Sequence, residues 1–299
     1  MRDEATVRCV FLAFDMETND PDDVLTLCLV ATHPSVTLTA VTVNPGTRAQ
    51  LGVVRRLLEA LGRADVPVGA RDPGMAGDKV SAFHRTWLGP VPDAEADGPA
   101  HAILASAFAA EPSTVLLCGA PLHNVRALTR EHPDVRVARL VVQGGFAGDD
   151  LVPPERRLAK FEGRTLSESH NLGANKKAAQ SVLADPAFAR KELVSKNVTH
   201  GVLWDPAFHQ AIAAVPTLRP GVRLMHEAME VYLREVPDGK ALHDPLAACA
   251  AIDPSIIDWA EVAVRYEGGR WGAERAPGSG TFISVGVDRD AFFAVLTAA

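Results

Sequence analysis

The chain has 299 residues, of which 47% are hydrophobic and 22% are charged, and its formal net charge is −7. This composition can bury a large core, and one α/β domain is ordinary at this length. The negative charge offers no general attraction to nucleic acid or anionic lipid, so we expect neither as a partner. No apolar run approaches the length of a membrane span, and residues 1–6 lack the apolar core of a signal peptide.

Four cysteines are scattered along the chain, each in an apolar segment: Cys9, Cys28, Cys118 and Cys249. Such spacing is typical of reduced core residues and not of a disulfide framework or a zinc site. We therefore expect a cytoplasmic protein.

The first part of the chain alternates strand and helix patterns. Apolar runs at 7–13 and 36–43 predict buried strands, and residues 66–69 predict a short third strand. Residues 24–31 and 49–61 between them predict helices. This βαβαβ order indicates a parallel sheet with right-handed crossovers.

Residues 71–98 interrupt that alternation. The segment is rich in Gly, Pro and Asp, and it carries Phe83, His84 and Trp87. A long loop in a compact domain is often a lid or binding loop, but a surface excursion pinned by Trp87 accounts for it equally well.

The remainder continues the α/β pattern, with an irregular polar stretch at 146–170. Strands are predicted at 113–119, 138–143 and 193–198, and helices at 100–110, 121–131, 176–189, 206–214, 222–235, 245–252 and 288–297. Alternation over 262–287 predicts antiparallel strands. The expected fold is α/β. It is a single domain over 1–299, with a mainly parallel, doubly wound (Rossmann-like) sheet flanked by helices and a small antiparallel C-terminal portion.

Five carboxylates lie between the first strand and the first helix: Asp15, Glu17, Asp20, Asp22 and Asp23. Helix capping by Asp20 and the helix dipole account for the last three. They do not account for Asp15 and Glu17. Ligands bind at the carboxyl ends of strands in open α/β sheets, and a divalent cation would relieve the repulsion among these acids.

A second acid-bearing turn lies at His243-Asp244-Pro245. An ordinary helix N-cap at Asp244 is one interpretation. However, His243 adds a group that can move protons near neutral pH. If the two turns meet above one sheet, they form a site.

The order of these motifs resembles the inosine–uridine type of the nucleoside hydrolase family. The resemblance runs from residue 7 to about 255, and its matching segments are 15–23, 119–124, 141–145, 169–179, 197–200 and 243–245. It implies Ca²⁺-dependent hydrolysis of the N-glycosidic bond of a ribonucleoside, which releases ribose and a free base. It also implies a homodimer or homotetramer.

The resemblance also implies roles for individual residues. The metal ligands would be Asp15, Glu17, Asp23, Asp244 and the backbone carbonyl of His123. Glu17 would also be the catalytic base. His243 would assist the leaving group. The substrate-binding residues would be Asp22, Thr47, Glu168, Ser169, Asn171 and Tyr232.

The chain departs from the family pattern in two places that matter. The first acid cluster has one extra residue and a Glu where Asp is usual, so Asp20 is an alternative to Glu17 as ligand or base. Ser169 stands where the family has a Glu that contacts the 5′ end of the sugar, although Glu168 is adjacent. A modified or phosphorylated 5′ position is therefore a hypothesis.

Two other readings compete with the hydrolase. A haloacid-dehalogenase-like phosphatase would use Asp15 in Asp-x-Glu-x as nucleophile with Mg²⁺. In that reading, residues 20–23 and 243–245 have no role. A metal-dependent ribosyl-binding protein without turnover would keep the same ligands, and the departures at Glu17 and Ser169 are compatible with it. The combined motifs favour the glycosidase.

Overall fold

The computed structural model describes residues 9–299. The predictions for residues 1–6, and the first two residues of the strand predicted at 7–13, lie outside this range. The strands are β1 (Val10–Met16), β2 (Val36–Val43), β3 (Val68–Ala70), β4 (Gly98–Pro99), β5 (Val115–Cys118), β6 (Val137–Gln143), β7 (Phe188–Val194), β8 (Leu203–Trp204), β9 (Lys240–Ala241), β10 (Ile257–Glu267), β11 (Arg270–Arg275) and β12 (Thr281–Val287).

The helices that cover these strands are short to medium in length. They are α1 (Pro21–Thr32), α2 (Arg48–Ala60), α3 (Ala82–Leu88), α4 (Ala100–Ala110), α5 (His123–Glu131), α6 (His170–Gly173), α7 (Lys176–Ala184), α8 (Lys196–Thr199), α9 (Pro206–Ala213), α10 (Pro220–Glu235), α11 (His243–Ile252) and α12 (Arg289–Thr297). In the part of the chain that the structure describes, no helix is long and apolar enough to cross a membrane.

One large sheet runs in the order β11-β10-β12-β7-β6-β5-β1-β2-β3-β4. Neighbouring strands are parallel from β12 to β4, whereas β10 is antiparallel to both β12 and β11. The chain builds outward from β1 to β4, and β5 then returns to the other side of β1. The strand order therefore reverses between β1 and β5, which is where open α/β sheets bind ligands. This architecture confirms the predicted fold class.

The core lies on both faces of the sheet. Successive residues of a strand point to opposite faces, so Phe14 joins the cluster with Leu25 of α1, and Ala13 joins the cluster with Leu104 of α4. Because both faces are covered, the central strands are continuous apolar runs in the sequence. That property explains why their positions could be predicted.

The helix predicted at 176–189 was wrong in its last five residues. α7 ends at Ala184, where Asp185 turns the chain and its Oδ1 accepts a hydrogen bond from the Ala187 N–H at 2.9 Å. Pro186 cannot continue a helix, because it lacks an N–H and its ring clashes with the preceding turn. β7 therefore begins at Phe188 instead of residue 193, and α8 occupies the predicted end of the strand.

The segment 71–98 contains α3 and is held against the loop that follows β1. The Ser81 N–H donates to the carbonyl of Thr18 at 3.1 Å, and Thr18 Oγ1 donates to the carbonyl of Lys79 at 3.1 Å. The Phe83 ring meets the Tyr232 ring of α10 edge-on, with centroids 5.6 Å apart. This segment therefore lies beside the acid-rich turn.

The prediction that all four cysteines are core residues was wrong for one of them. Cys9 is exposed because it precedes the first residue of β1. Cys28, Cys118 and Cys249 are buried, and each is a free thiol.

Candidate active site

Three carboxylates from two distant parts of the chain meet at the carboxyl end of β1. Asp22 and Asp23 lie in the first turn of α1, and Asp244 lies in the first turn of α11. Their exposed fractions are 2%, 4% and 4%. One oxygen from each lies within 4.8 Å of the others, so the two acid-bearing turns meet, which is the condition that the sequence set for a site. We call these three residues the acid trio.

Burial and crowding disfavour the charged forms of the acid trio. Burial raises the pKa of Asp22 to about 8, while Lys240 opposes the rise and Asp20 adds to it. Burial also raises the pKa of Asp23 and that of Asp244 well above the usual range. Asp244 adds to the rise at Asp23, and Asp22 adds to the rise at Asp244. A cation held among the three residues would stabilise the charged form of each carboxylate and so lower its pKa.

The residues present fit a hard divalent cation. Asp244 Oδ1 is buried and has no hydrogen-bond partner among residues 9–299. A Cβ at Gly119 would come within 2.9 Å of that oxygen and 3.1 Å of Asp23 Oδ1, so glycine leaves room beside both carboxylates. The trio offers only oxygen donors, which suits Ca²⁺ or Mg²⁺ and not a softer metal.

Asp22 joins the starts of the two helices. Its Oδ2 accepts hydrogen bonds from the backbone N–H groups of His243 and Asp244, at 3.1 and 3.3 Å. Its Oδ1 lies 3.4 Å from Nζ of Lys240, which is itself buried. Sequence reasoning missed Lys240, because one lysine ahead of a helix carries no signal of its own.

Asp15 lies behind the acid trio in the core. It is fully buried, and its Oδ1 accepts hydrogen bonds from Thr42 Oγ1 at 2.6 Å and from Asn124 Nδ2 at 2.7 Å. Burial raises its pKa to about 6. An enclosed carboxylate held in this way is badly placed as a phosphatase nucleophile. Its role as a metal ligand stays a prediction.

Glu17 extends along the side of the trio. Its backbone N–H donates to Asp23 Oδ1 at 3.0 Å. Its carboxylate accepts from Asn44 Nδ2 at 3.3 Å and lies 3.3 Å from Nε2 of His170. A carboxylate in this position can reach a ligand held by the trio.

Asp20 is the more exposed of the two candidate bases. It caps α1 by accepting from the Asp22 N–H at 3.3 Å, and it pairs with Lys240 at 2.8 Å. Both contacts hold it at the rim of the site. The geometry therefore favours Glu17 over Asp20 as the group that faces a bound ligand.

The loops after β5 and β6 form the opposite wall. Asn171 Nδ2 donates to the carbonyl of Gly119 at 2.8 Å and to that of Gln143 at 3.0 Å. Ser169 Oγ accepts from the Gly145 N–H at 3.1 Å. Glu168 is exposed, and its carbonyl accepts a hydrogen bond from Lys196 Nζ at 3.0 Å.

His243 lies at the same edge, with Nδ1 2.8 Å from Thr199 Oγ1 and its ring 4.7 Å from that of His200. Burial lowers the pKa of His243 to about 3, and Lys240 and His200 lower it further, so the imidazole is neutral near pH 7.

The other predicted site residues have these positions. Tyr232 is half-buried against Phe83. His123 begins α5 directly after the Gly119 loop. Thr47 is fully buried and caps α2 through a hydrogen bond from the Gln50 N–H.

Comparison with known proteins agrees with this arrangement. The family model described as "Inosine-uridine preferring nucleoside hydrolase" matches residues 12–294. A search of curated protein sequences finds no match. Similar solved structures include a plant nucleoside hydrolase, with 20% identity, a TM-score of 0.73, and 97% of this chain and 99% of that chain covered.

Two bacterial structures are similar to a comparable degree. An inosine-uridine preferring nucleoside hydrolase from Bacillus anthracis has 20% identity and a TM-score of 0.70, with 96% of this chain and 98% of that chain covered. A purine-preferring ribonucleoside hydrolase from Gardnerella vaginalis has 19% identity, a TM-score of 0.66, and the same coverage. These neighbours establish the fold over nearly the whole chain.

Proposed function

Since this chain belongs to the inosine-uridine preferring nucleoside hydrolase family, and so hydrolyses N-glycosyl bonds, we propose that it is a Ca²⁺-dependent ribonucleoside N-ribohydrolase. It would cleave the bond between C1′ of the ribose and the base and release ribose, or a ribose derivative, and the free base. The observation that supports the metal is the acid trio with the unpartnered Oδ1 of Asp244.

The acid trio would hold the cation, with the carbonyl of His123 and the carboxylates of Asp15 and Glu17 as the further predicted ligands. When bound, a divalent cation lowers the pKa of a coordinated water and fixes oxygen atoms of the substrate. Calcium suits this site because it accepts several carboxylate and carbonyl oxygens in irregular geometry.

The surrounding residues supply the remaining functions. Glu17 would accept a proton from the attacking water as general base, since its carboxylate lies beside the trio. Asn171 and Ser169 would orient the ribose from the opposite wall. His243 would donate a hydrogen bond to the leaving base from its second ring nitrogen, and Tyr232 would line the space for that base. Cleavage of this kind passes through an oxocarbenium-like state.

Release of reducing sugar from inosine, uridine, guanosine, adenosine and cytidine tests the proposal. Wild type should release sugar with Ca²⁺ and lose that activity in EDTA, and activity should return when Ca²⁺ is restored. Asp23→Ala should be inactive, while Asp134→Ala, which removes an exposed acid, should match wild type.

The outcomes separate the alternatives. If the protein binds ribose in the presence of calcium but releases sugar from no nucleoside, it is not a hydrolase of these substrates and is instead a ribosyl-binding protein. Activity that survives EDTA would overturn the metal requirement. A homodimer or homotetramer and a cytoplasmic location remain predictions, to be checked by light scattering and by fractionation of the source cells.

A further inference from the structure

Three cations gather beside the candidate active site. Lys196 begins α8 at the carboxyl end of β7, and its Nζ donates to the carbonyl of Glu168 at 3.0 Å. Lys160 Nζ lies 2.7 Å from Nδ1 of His200. Both ammonium groups lie over the Phe161 ring, 5.3 Å (Lys160) and 5.7 Å (Lys196) from its centroid.

Arg164 and Lys196 line one open cleft with Phe161. We call Lys160, Arg164 and Lys196 the basic cluster.

The charges of the basic cluster are not neutralised within the described chain. No carboxylate oxygen of residues 9–299 lies within salt-bridge distance of Lys160, Arg164 or Lys196. Burial lowers the pKa of Lys196. Glu168 raises it again, and Lys160 and Arg164 lower it further. In a chain of net charge −7, three cations that form no salt bridge within residues 9–299 and have only Glu168 as a neighbouring carboxylate in their cleft favour an anionic ligand.

Short contacts connect the basic cluster to the site. The His200 ring that meets Lys160 also packs edge-on against the His243 ring, 4.7 Å away. On the other side, Glu168 is followed by Ser169 at the site wall and by His170, whose Nε2 lies 3.3 Å from Glu17. The basic cluster therefore forms part of the rim of the same site and is not a separate surface.

We propose that the basic cluster binds a phosphate on the substrate, so that the substrates are ribonucleoside 5′-monophosphates. This inference rests on the proposed function. The basic cluster reaches the acid-bearing turns through the His200 and His243 rings and through Ser169 and His170, so a phosphate bound there lies at the rim and leaves the acid trio to the cation. The 5′ carbon is an exocyclic arm of the ribose and can carry a phosphate to that rim.

The reaction leaves the phosphate ester intact. Water adds its hydroxyl to C1′ as the bond from C1′ to the base nitrogen breaks. The base takes up the remaining proton, so the products are ribose 5-phosphate and the free base. The basic cluster acts as a specificity device that recognises the dianion and takes no part in bond cleavage.

A variant of Glu168 distinguishes the two possible substrate classes, nucleosides and nucleoside 5′-monophosphates. Its carboxylate is close enough to Lys196 to raise the pKa of that lysine, so it would partly repel a phosphate. If Glu168 instead binds a free 5′ hydroxyl, its amide variant should weaken nucleoside hydrolysis. If a phosphate binds, Glu168→Gln should raise kcat/KM for the monophosphate severalfold, because it removes the negative charge beside Lys196.

The test compares kcat/KM for each nucleoside and its 5′-monophosphate, with Ca²⁺, in wild type, Lys196→Met, Lys160→Met and Glu168→Gln. Wild type should prefer the monophosphate. Lys196→Met should lower kcat/KM for the monophosphate by roughly 10- to 100-fold, the usual effect of losing a hydrogen bond to a charged group. Its kcat/KM for the nucleoside should change by no more than about twofold. Lys177→Met, an exposed lysine on α7, is the matched control.

Equilibrium binding measures the subsite without turnover. By calorimetry, ribose 5-phosphate should bind more tightly than ribose, and Lys196→Met should abolish the difference. Equal binding of the two sugars, or nucleoside hydrolysis that exceeds monophosphate hydrolysis in wild type, would overturn the phosphate subsite and leave the proposed hydrolase intact. If wild type releases sugar from neither class, the hydrolase proposal fails, and the binding comparison still decides the subsite.

Discussion

At the scale of single residues, the site is defined by carboxylates that differ in exposure and partners. Asp20 is exposed and paired with Lys240, whereas Glu17 is almost buried and borders the acid trio. A catalytic base must lie within hydrogen-bond reach of the water from which it takes a proton. Because Glu17 borders the trio while Asp20 is held by Lys240, we propose Glu17 as the base, although the extra residue in the turn left both acids open in the sequence.

We predict that the amide variants of these two acids behave differently. Glu17→Gln should lower kcat by roughly 100- to 10,000-fold, because it removes a general base. Asp20→Asn keeps a capping oxygen and should lower kcat by less than about 10-fold. Steady-state kinetics on the best substrate from the panel measures both. The reverse order of effects would identify Asp20 as the base.

Some of these residues were recognisable from the sequence and others were not. The resemblance to the family indicated Asp23 and Asp244 as metal ligands, whereas it assigned Asp22 to substrate binding, and the structure places Asp22 in the same acid trio. Lys240 was invisible, because its partners lie some 220 positions away and only the fold brings them together. The basic cluster was hidden for the same reason.

Thr47, which the family resemblance assigns to substrate binding, also has a local structural role. Its hydroxyl accepts from the Gln50 N–H, and the Gln50 side chain accepts from the Thr47 N–H at 3.0 Å, which together form a capping box. We predict that Thr47→Ala lowers the free energy of unfolding by about 1 kcal/mol and leaves KM unchanged. Urea unfolding and kinetics measure the two effects, and Thr47→Ser is the control. A raised KM at unchanged stability would restore Thr47 as a substrate-binding residue.

At the scale of elements, α3 and α10 form one side of the site. Phe83 stacks on Trp87 at 6.0 Å and meets Tyr232 edge-on. Because these rings hold α3 against α10, the segment 71–98 is fixed beside the acid-rich turn. The sequence left this segment as either a lid or a surface excursion, since neither its turns nor its composition indicates where it packs.

We predict that Phe83→Ala raises KM by roughly 3- to 10-fold and changes kcat little, because losing the aromatic pair loosens the wall without touching the acid trio. Thr86→Ala, on the exposed face of the same helix, should match wild type. An equal fall in kcat at unchanged KM would contradict a role in substrate capture.

The strand and helix positions were predictable where hydrophobic pattern and turn chemistry agreed. β2 and α4 were predicted to the residue. The error at α7 arose where Ala-rich sequence extended a helical pattern past Asp185 and Pro186. The pairing of β12 with β7 joins the C-terminal strands to the main sheet, and this long-range contact has no local signature.

At the scale of the whole molecule, His33 connects the end of α1 to the C-terminal helix. Its Nδ1 accepts from the Ser35 N–H at 3.1 Å, and its Nε2 lies 3.0 Å from the carbonyl of Val295. The ring is therefore neutral, with the proton on Nε2. Burial lowers its pKa to about 4, and Arg219 lowers it further.

We predict that this histidine contributes to loss of stability in acid. Its folded pKa lies below the unfolded value of 6.5. The unfolded chain therefore binds more protons between these two values, and stability falls as the pH drops from about 6.5 towards 4. The contribution between pH 8 and pH 5 is about 2 kcal/mol. Urea unfolding at both pH values measures it, and His33→Gln should reduce the fall by that amount. An unchanged pH dependence would show that His33 is not responsible.

The acid trio also bears on how a newly made chain becomes competent. Asp22 and Asp244 are separated by 222 positions in a chain of 299 residues, and the hydrogen bond from the Asp244 N–H to Asp22 closes a loop of about three quarters of the chain. A ribosome must therefore release most of the polypeptide before the pocket can exist. The acid-rich turn at residues 15–23 is synthesised long before Asp244, so the acid trio can form only late in synthesis.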